Sequence, residues 1–207
     1  MKEFLNKRVI LWDFDGVILN SMEVRELGFV KVFSRYPEEQ VKQLLKYHKE
    51  NGGLSRYVKF RYFIKEILNE PPNEKKVDTM ASQFSEIMRS SLGSRDLLIQ
   101  EVINFIRLHF QDFNMHIVSG SDGEELRFLC DKLNISGYFK TIQGSPEPKI
   151  SLVNNIIIQY NYEKPTVCLV GDSINDFDAA NQNQIDFFAY NNKALKLKGL
   201  NYIDSFL

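Results

Sequence analysis

The chain has 207 residues, of which 43% are hydrophobic and 26% charged, and its formal net charge at pH 7 is −1. This composition is typical of a soluble globular protein, and the small charge gives no overall attraction to nucleic acid or to a membrane. No apolar run reaches the roughly 18 residues that a membrane span needs, and the charged N-terminus lacks the apolar segment of a signal peptide. We therefore expect a cytoplasmic monomer or homodimer with no nucleic-acid or membrane partner.

The first apolar run, Val9–Trp12, is followed directly by Asp13, Asp15 and Gly16. A short apolar run before such a cluster is typical of a buried parallel strand. Residues two apart on a strand share a face, so both carboxylates lie at its carboxyl end, where open α/β sheets bind ligands. Two unit charges about 4 Å apart repel by roughly 4 kcal/mol at an effective dielectric near 20. Such a pair indicates a bound cation, a shared proton or a reaction.

The stretch from Ser21 to Gly93 contains no convincing strand, and its pattern predicts four helices. Three breaks separate these helices: Pro37, Gly52-Gly53 and Pro71-Pro72. We interpret residues 21–93 as a helical cap inserted into one α/β core domain that comprises residues 1–20 and 94–207. Leu97–Phe110 is the predicted helix that returns to the sheet.

Four later apolar runs predict further strands, at Met115–Val118, Phe139–Gln143, Val167–Val170 and Ile185–Tyr190. Helical patterns separate most of them, at Glu124–Leu133, Ser151–Tyr160 and Asp176–Asn183. Strands that alternate with helices favour a doubly wound parallel sheet. Cys130 and Cys168 lie far apart in apolar surroundings, which favours two buried thiols over a disulfide or a metal pair.

Polar residues follow each of the next three predicted strands. Ser119-Gly120 comes before the segment 121–124, Ser-Asp-Gly-Glu, which is similar to a capping box at a helix start. A helix N-terminus beside a hydroxyl is a ready site for an anion. Lys149 follows the third strand, and Asp172 and Asp176 follow the fourth, one helical turn apart.

Carboxylates, a hydroxyl and an ammonium group on one edge of a sheet suit phosphoryl chemistry. Carboxylate oxygens hold Mg²⁺, and the metal bridges to a substrate phosphate. The ammonium group, the hydroxyl and backbone N–H groups hold the remaining phosphate oxygens. One carboxylate can attack phosphorus, and another can protonate the leaving oxygen.

These residues, in this order and spacing, resemble the haloacid dehalogenase-like hydrolase superfamily, in the helical-cap branch that includes phosphoglycolate phosphatases and β-phosphoglucomutases. The resemblance implies that Asp13 is the nucleophile and Asp15 the general acid and base. It implies that Ser119, Gly120 and Lys149 bind phosphate. It further implies a Mg²⁺ site formed by Asp13, the backbone carbonyl of Asp15, Asp172 and, directly or beside them, Asp176. The segment Asn201–Phe206 resembles the last edge strand of the phosphoglycolate phosphatase branch.

The segment 52–56, Gly-Gly-Leu-Ser-Arg, is similar to a cap loop of β-phosphoglucomutases in which the arginine grips a second phosphate. Arg56 is therefore a candidate substrate contact, although that branch usually has a lysine where this chain has Asn51 and Gly52. Residues 21–65 hold ten Lys and Arg against five Asp and Glu, which fits an anionic substrate. His48 reads as a helix-end or partly buried histidine.

Together these features predict a Mg²⁺-dependent phosphatase that acts on a small phosphorylated metabolite. A sugar-phosphate mutase is the alternative that the cap loop suggests, and a non-catalytic binding protein with the same fold is a further one. A phosphonate hydrolase would need a cap lysine for a Schiff base, and the nearby candidates, Lys49 and Lys59, are not compelling. The sequence does not identify the substrate.

Overall fold

The structure is a computed structural model that describes residues 4–206. Six parallel strands form one sheet in the order β3-β2-β1-β4-β5-β6. The strands are β1 (Val9–Trp12), β2 (Asn114–Asp122), β3 (Thr141–Ser145), β4 (Val167–Gly171), β5 (Asp186–Tyr190) and β6 (Tyr202–Ile203). The prediction of a doubly wound parallel sheet with an inserted helical segment is confirmed.

Nine α-helices occur within residues 4–206, and the first four follow β1 in the stretch that the sequence predicts as helical. These four are α1 (Met22–Val32), α2 (Glu38–Glu50), α3 (Arg56–Tyr62) and α4 (Glu74–Ser91). The other five are α5 (Gln100–His109), α6 (Gly123–Lys132), α7 (Lys149–Gln159), α8 (Ile174–Asn183) and α9 (Lys193–Leu197).

The central strand β1 is apolar because both of its faces are covered. Ile10 and Trp12 pack into the cluster that includes the aromatic core of the cap. Val9 and Leu11 pack on the opposite face, against residues of α7 and α8. With β2 and β4 as its neighbours, β1 has no solvated face, and its carboxyl end lies at the middle of the sheet.

The first four helices, α1 to α4, are referred to below as the cap. The breaks between them fall where proline and glycine predicted them, and α3 continues as a π-helix over Phe63–Ile67. Phenylalanines of α1, α3 and α4 contact one another at the centre of the cap, among them Phe29, Phe60 and Phe84. The boundaries at residues 20 and 94 stay a prediction.

Strand β2 is longer than its apolar run predicts, since it continues through Ser119 and Gly120 to Asp122. Asp122 pairs with Ser145 of β3, which holds this polar stretch in the sheet. Helix α6 accordingly begins at Gly123, and the side chain of Asp122 accepts a hydrogen bond from the Glu125 N–H. The predicted capping box over residues 121–124 is therefore wrong by one position.

Two other elements begin later than predicted, each after a 3₁₀ turn. β3 begins at Thr141 because a 3₁₀ turn over Ser136–Tyr138 precedes it. The returning helix α5 begins at Gln100, after a 3₁₀ turn over Arg95–Leu97. Both cysteines are buried free thiols, as predicted. Within the described part of the chain, no helix combines the length and apolarity that a membrane crossing requires.

Candidate active site

The carboxyl ends of β1, β2 and β4 lie side by side and open into one pocket. Because these strands are neighbours in the sheet, they bring Asp13, Ser119 and Asp172 to the same edge. The opposite wall comes from the cap, through residues such as His48 and Arg56. The cavity has a volume of about 270 Å³, which is at the small end for ligand sites.

Asp13 is the most buried carboxylate at the end of β1, with 2% of its surface exposed. Its backbone N–H donates to the carbonyl of Val170, and its Oδ1 lies 2.8 Å from Lys149 Nζ. Burial raises the pKa of Asp13 to about 7, with a further contribution from the negative charge of Asp176 and an opposing one from Lys149. The sequence-predicted nucleophile therefore lies against a buried ammonium group.

Lys149 stands in the first turn of α7 and bridges two of the acids. Its Nζ forms ion pairs with Asp13 and with Asp176 Oδ1. Burial alone would lower the pKa of Lys149, but these two carboxylates more than offset it, so the net pKa is raised and the side chain is an ammonium ion. The sequence resemblance implies that Lys149 binds phosphate, and the structure places its ammonium group in contact with Asp13.

Asp176 is enclosed by protein partners. Its Oδ2 accepts hydrogen bonds from Ser173 N at 3.0 Å and from Ser173 Oγ at 2.6 Å, in a capping box that opens α8. Its Oδ1 pairs with Lys149. Because both oxygens have protein partners, Asp176 suits a supporting position behind the metal ligands better than a direct one.

A divalent cation fits the acids at this edge. One oxygen each from Asp13, Asp172 and Asp176 lie within 4.8 Å of one another. Burial raises the pKa of Asp172 well above its usual value, and the neighbouring Asp13 and Asp176 raise it further. Three carboxylates against the single ammonium of Lys149 leave an excess of negative charge that a cation would neutralise.

Gly16 allows the β1 turn to approach Asp172. Its φ is +78°, and a Cβ added there would stand 2.1 Å from Asp172 Oδ2. The Gly16 carbonyl accepts a hydrogen bond from Asn191 Nδ2, and Asn192 Nδ2 donates to the carbonyl of Asp172. The side chains of Asn191 and Asn192 thus hold the turns that contain Gly16 and Asp172, and the close approach of these turns requires a residue without a side chain at position 16.

The carboxylate of Asp15 points away from the other acids and towards the cap. Arg25 Nε donates to its Oδ1 at 2.6 Å, Ser21 Oγ donates to the same oxygen, and Ser121 Oγ donates to Oδ2 at 2.5 Å. Burial would raise the pKa of Asp15, but Arg25 and the two hydroxyls outweigh it and hold the pKa below its usual value. Asp15 is thus an ionised, oriented carboxylate, and only its backbone could join a metal site formed by Asp13 and Asp172.

Ser119 and Gly120 lie beneath the cap loop on the extension of β2. Ser119 is 1% exposed, and its Oγ accepts from the N–H of Ser121. A Cβ on Gly120 would stand 2.1 Å from the carbonyl oxygen of Gly53. That carbonyl also accepts from Asn175 Nδ2 at 3.0 Å, so the cap loop is closed onto the sheet edge.

Arg56, the arginine of the cap loop, is not directed freely into the pocket. Its Nη1 donates to Glu125 Oε2 at 2.6 Å and to Ser85 Oγ at 2.7 Å. Its guanidinium also lies 4.6 Å above the ring of Phe84. The structure therefore brings Arg56 to the pocket but pairs it with an acid of α6.

Several residues of the site were not predicted from sequence. Arg25 and Glu125 join the cap to the core, and Ser21 and Ser121 hold Asp15. Hydroxyls and charges of this kind are common on any surface, and no local spacing distinguishes them. Lys59 also lines the pocket, whereas the sequence indicates for it only the role of a Schiff-base candidate. His48 lies at the end of α2 as expected, although it is more buried than a helix end suggests, with 5% exposed.

The parallel sheet, the acidic strand ends and the inserted cap together form an α/β enzyme architecture in which a helical cap covers a buried acidic site. Residues 10–190 match the family model of the haloacid dehalogenase-like hydrolases. The chain belongs to this family, as the sequence resemblance predicted.

Solved structures agree with this assignment at the level of fold. β-Phosphoglucomutase from Clostridium difficile has a TM-score of 0.75 at 18% identity, covering 97% of this chain and 92% of that one. CbbY from Rhodobacter sphaeroides in complex with xylulose 1,5-bisphosphate has a TM-score of 0.76 at 14% identity, covering 97% and 95%. A predicted phosphoglycolate phosphatase from Haemophilus somnus has a TM-score of 0.72 at 16% identity, covering 97% and 95%. No curated protein sequence matches the chain significantly.

Proposed function

We propose that this protein is a Mg²⁺-dependent phosphatase that hydrolyses a small phosphate monoester through an aspartyl-phosphate on Asp13. One observation carries the proposal: Asp13 contacts the Lys149 ammonium group at 2.8 Å and has an oxygen within 4.8 Å of one from Asp172, at the floor of one pocket. A nucleophile, a fixed cation and a metal-binding acid are the parts that phosphoryl transfer needs.

In the first half-reaction, the Asp13 carboxylate attacks phosphorus and the alcohol leaves. Lys149 orients Asp13 through Oδ1 and supplies positive charge beside the phosphate, while the Ser119 hydroxyl and the N–H of Gly120 bind its other oxygens. When bound by Asp13, Asp172 and the Asp15 carbonyl, Mg²⁺ supplies the charge that offsets the phosphate. These donors are fixed before substrate binds, which favours the transition state.

In the second half-reaction, Asp15 takes a proton from the water that hydrolyses the aspartyl-phosphate. The contacts with Arg25 and the two serines keep Asp15 ionised, which is the form that a general base needs. To protonate the leaving alcohol in the first half-reaction, Asp15 must first gain a proton, so its contact with Arg25 has to loosen when substrate enters.

The sugar-phosphate mutase is not favoured as an alternative. The similarity to the mutase cap loop depends on Arg56 as the group that grips a second phosphate, and here Arg56 is paired with Glu125. The closed cap and buried site suit a substrate that is small, because the pocket volume is about 270 Å³.

The test is phosphate release from a panel of small phosphate monoesters, measured with and without Mg²⁺. We expect EDTA to abolish release, Mg²⁺ to restore it, and Asp13→Asn to lower it by roughly 10³-fold or more, as for other nucleophile substitutions. Asp178→Asn, an exposed substitution of the same kind on α8, is the matched control. Mg²⁺-dependent release that survives in a folded Asp13→Asn variant would refute the proposal.

A further inference from the structure

The cap side of the pocket contains two buried arginines that are held by one acid. Glu125 is fully buried in α6, and its Oε1 accepts from Arg25 Nη1 at 3.1 Å while its Oε2 accepts from Arg56 Nη1 at 2.6 Å. Arg25 also pairs with Asp15. Two guanidinium groups therefore face two carboxylates, and their formal charges cancel.

Because its charge is offset in this way, Arg56 attracts a second phosphate only weakly. A dianion placed beside Arg56 would also lie beside the Glu125 carboxylate, in a buried region where charges are weakly screened. Nη1 of Arg56 is already engaged by Glu125 and Ser85, and a dianion bound at Nη2, which lacks a partner among the described residues, would be repelled by the Glu125 carboxylate. The pairing thus selects against substrates with two phosphates.

Lys59, on the pocket face of α3, is a cap cation of a different kind. It lines the same cavity with 4% of its surface exposed, and its Nζ lies 2.9 Å from His48 Nδ1. Among the residues that the structure describes, no carboxylate lies within ion-pair distance of this amine. A buried lysine without a carboxylate destabilises the fold unless a ligand or a proton shift compensates it.

The environment of Lys59 suits the binding of an anion. Burial lowers the pKa of Lys59 to about 7, and the charge of Arg25 lowers it further. Burial likewise lowers the pKa of His48 to about 3, so the imidazole is neutral and does not repel an anion. A single negative charge beside Lys59 would restore the ammonium form and balance it.

We propose, on the basis of the phosphatase function above, that Lys59 is the specificity-determining residue of the cap and binds one carboxylate on the leaving group of a phosphate monoester. Glu125 complements it by offsetting the charge of Arg56, which disfavours a second phosphate there. The substrate class is therefore a small phosphorylated hydroxy acid, with its phosphate at Asp13 and its carboxylate at Lys59.

Two matched substrate pairs test this assignment. 2-Phosphoglycolate and 2-hydroxyethyl phosphate differ only in that a carboxylate replaces a hydroxymethyl group, and 3-phosphoglycerate and glycerol 3-phosphate differ in the same way. We expect the wild type to prefer the carboxylate member of at least one pair by tenfold or more in kcat/KM. In Lys59→Met that ratio should fall to near one.

Lys65→Met is the matched control, because Lys65 follows in the same cap segment with its side chain 68% exposed and paired with Glu66. It should keep the wild-type ratio. Thermal unfolding separates a binding role from a structural one: Lys59→Met should unfold at the wild-type temperature or above, whereas loss of a structural contact would lower it.

A wild type that releases phosphate without preferring either carboxylate member, or a Lys59→Met variant that keeps the preference, would overturn the assignment. Absence of Mg²⁺-dependent release from all four esters would count against it too, since 2-phosphoglycolate and 3-phosphoglycerate both belong to the proposed substrate class. Failure of the phosphatase function itself has a different signature, namely release by no monoester of the wider panel or release that does not depend on Asp13.

Discussion

At the scale of single residues, Glu125 links parts of the chain that are distant in sequence. It belongs to a core helix, yet both of its oxygens accept from cap arginines, one of which also orients the Asp15 carboxylate. The position of the cap and the placement of Arg25 against Asp15 therefore depend on one buried acid. Removing it would leave two guanidinium groups with a single carboxylate.

Glu125→Gln should lower the free energy of unfolding by about 3–5 kcal/mol, the range for a buried ion pair that loses one partner. Glu124→Gln is the matched control, since that neighbouring side chain is 82% exposed and its contact with Arg89 is long, at 4.0 Å. Urea unfolding followed by circular dichroism measures both variants. Equal effects of the two substitutions would show that the Glu125 pairs do not contribute to stability.

His116 gives the protein a defined sensitivity to acid. It is fully buried in β2, with its ring nitrogens bonded to Thr141 Oγ1 and to the hydroxyl of Tyr162. Burial lowers the pKa of His116 to about 4, and Lys140 lowers it further. Since the unfolded histidine titrates near 6.5, the unfolded chain binds more protons between pH 4 and 6.5, and stability falls as the pH drops through this window.

In His116→Gln, the dependence of unfolding free energy on pH should become less steep across that window, by up to about 1.4 kcal/mol per pH unit. Above pH 8 the histidine is neutral in both states, so there the difference between variant and wild type should not change with pH. Urea unfolding at intervals from pH 4 to 8.5 measures this. Parallel curves over the whole range would contradict a neutral buried His116.

The acids of the site could be predicted from sequence, whereas their partners on the cap could not. Asp13 and Asp172 each follow an apolar run, and the edge of a parallel sheet brings such positions together whatever else the chain does. Arg25 and Arg56 meet Glu125 across separations of 100 and 69 residues. No local pattern specifies such a contact, because it depends on how the cap packs against the core.

At the scale of elements, the extension of β2 and the cap loop are fitted to each other. The strand continues beyond its apolar run because Asp122 pairs with Ser145, a partner that local sequence does not indicate. This extension places Gly120 directly under the carbonyl of Gly53. Closure of the cap loop therefore needs a residue without a side chain at position 120.

Gly120→Ala should hold the loop off the sheet, because the new methyl group would stand 2.1 Å from the Gly53 carbonyl oxygen. We expect kcat/KM for phosphate release to fall roughly 10- to 100-fold, the scale that a misplacement of about 1 Å produces. Gly137→Ala is the control, since a Cβ there meets nothing within 4 Å. Unchanged steady-state kinetics in Gly120→Ala would show that this contact is not needed for turnover.

At the scale of the whole molecule, the cap and the core differ in fold, and both contribute residues to the site. The insertion could be predicted because residues 21–93 lack strand patterns, and the helices are found there. How the cap lies on the sheet could not be predicted, since side chains such as Arg25, Tyr57 and Asn175 set it through contacts with distant partners. Local motifs therefore indicate the residues proposed for catalysis, whereas long-range contacts determine how the cap lies over them.

The insertion also affects the order in which the polypeptide can acquire its structure during translation. β1 leaves the ribosome before its neighbour β2, which pairs Asn114 with Val9, more than 100 residues later. At a translation rate of roughly 5–20 residues per second, the apolar strand β1 remains unpaired for about 5 to 20 seconds until β2 has been synthesised. The helices of the cap, which need only nearby partners, can assemble meanwhile, so Asp13, the proposed nucleophile, is synthesised before the cap but reaches its final surroundings only when the later strands pair with β1.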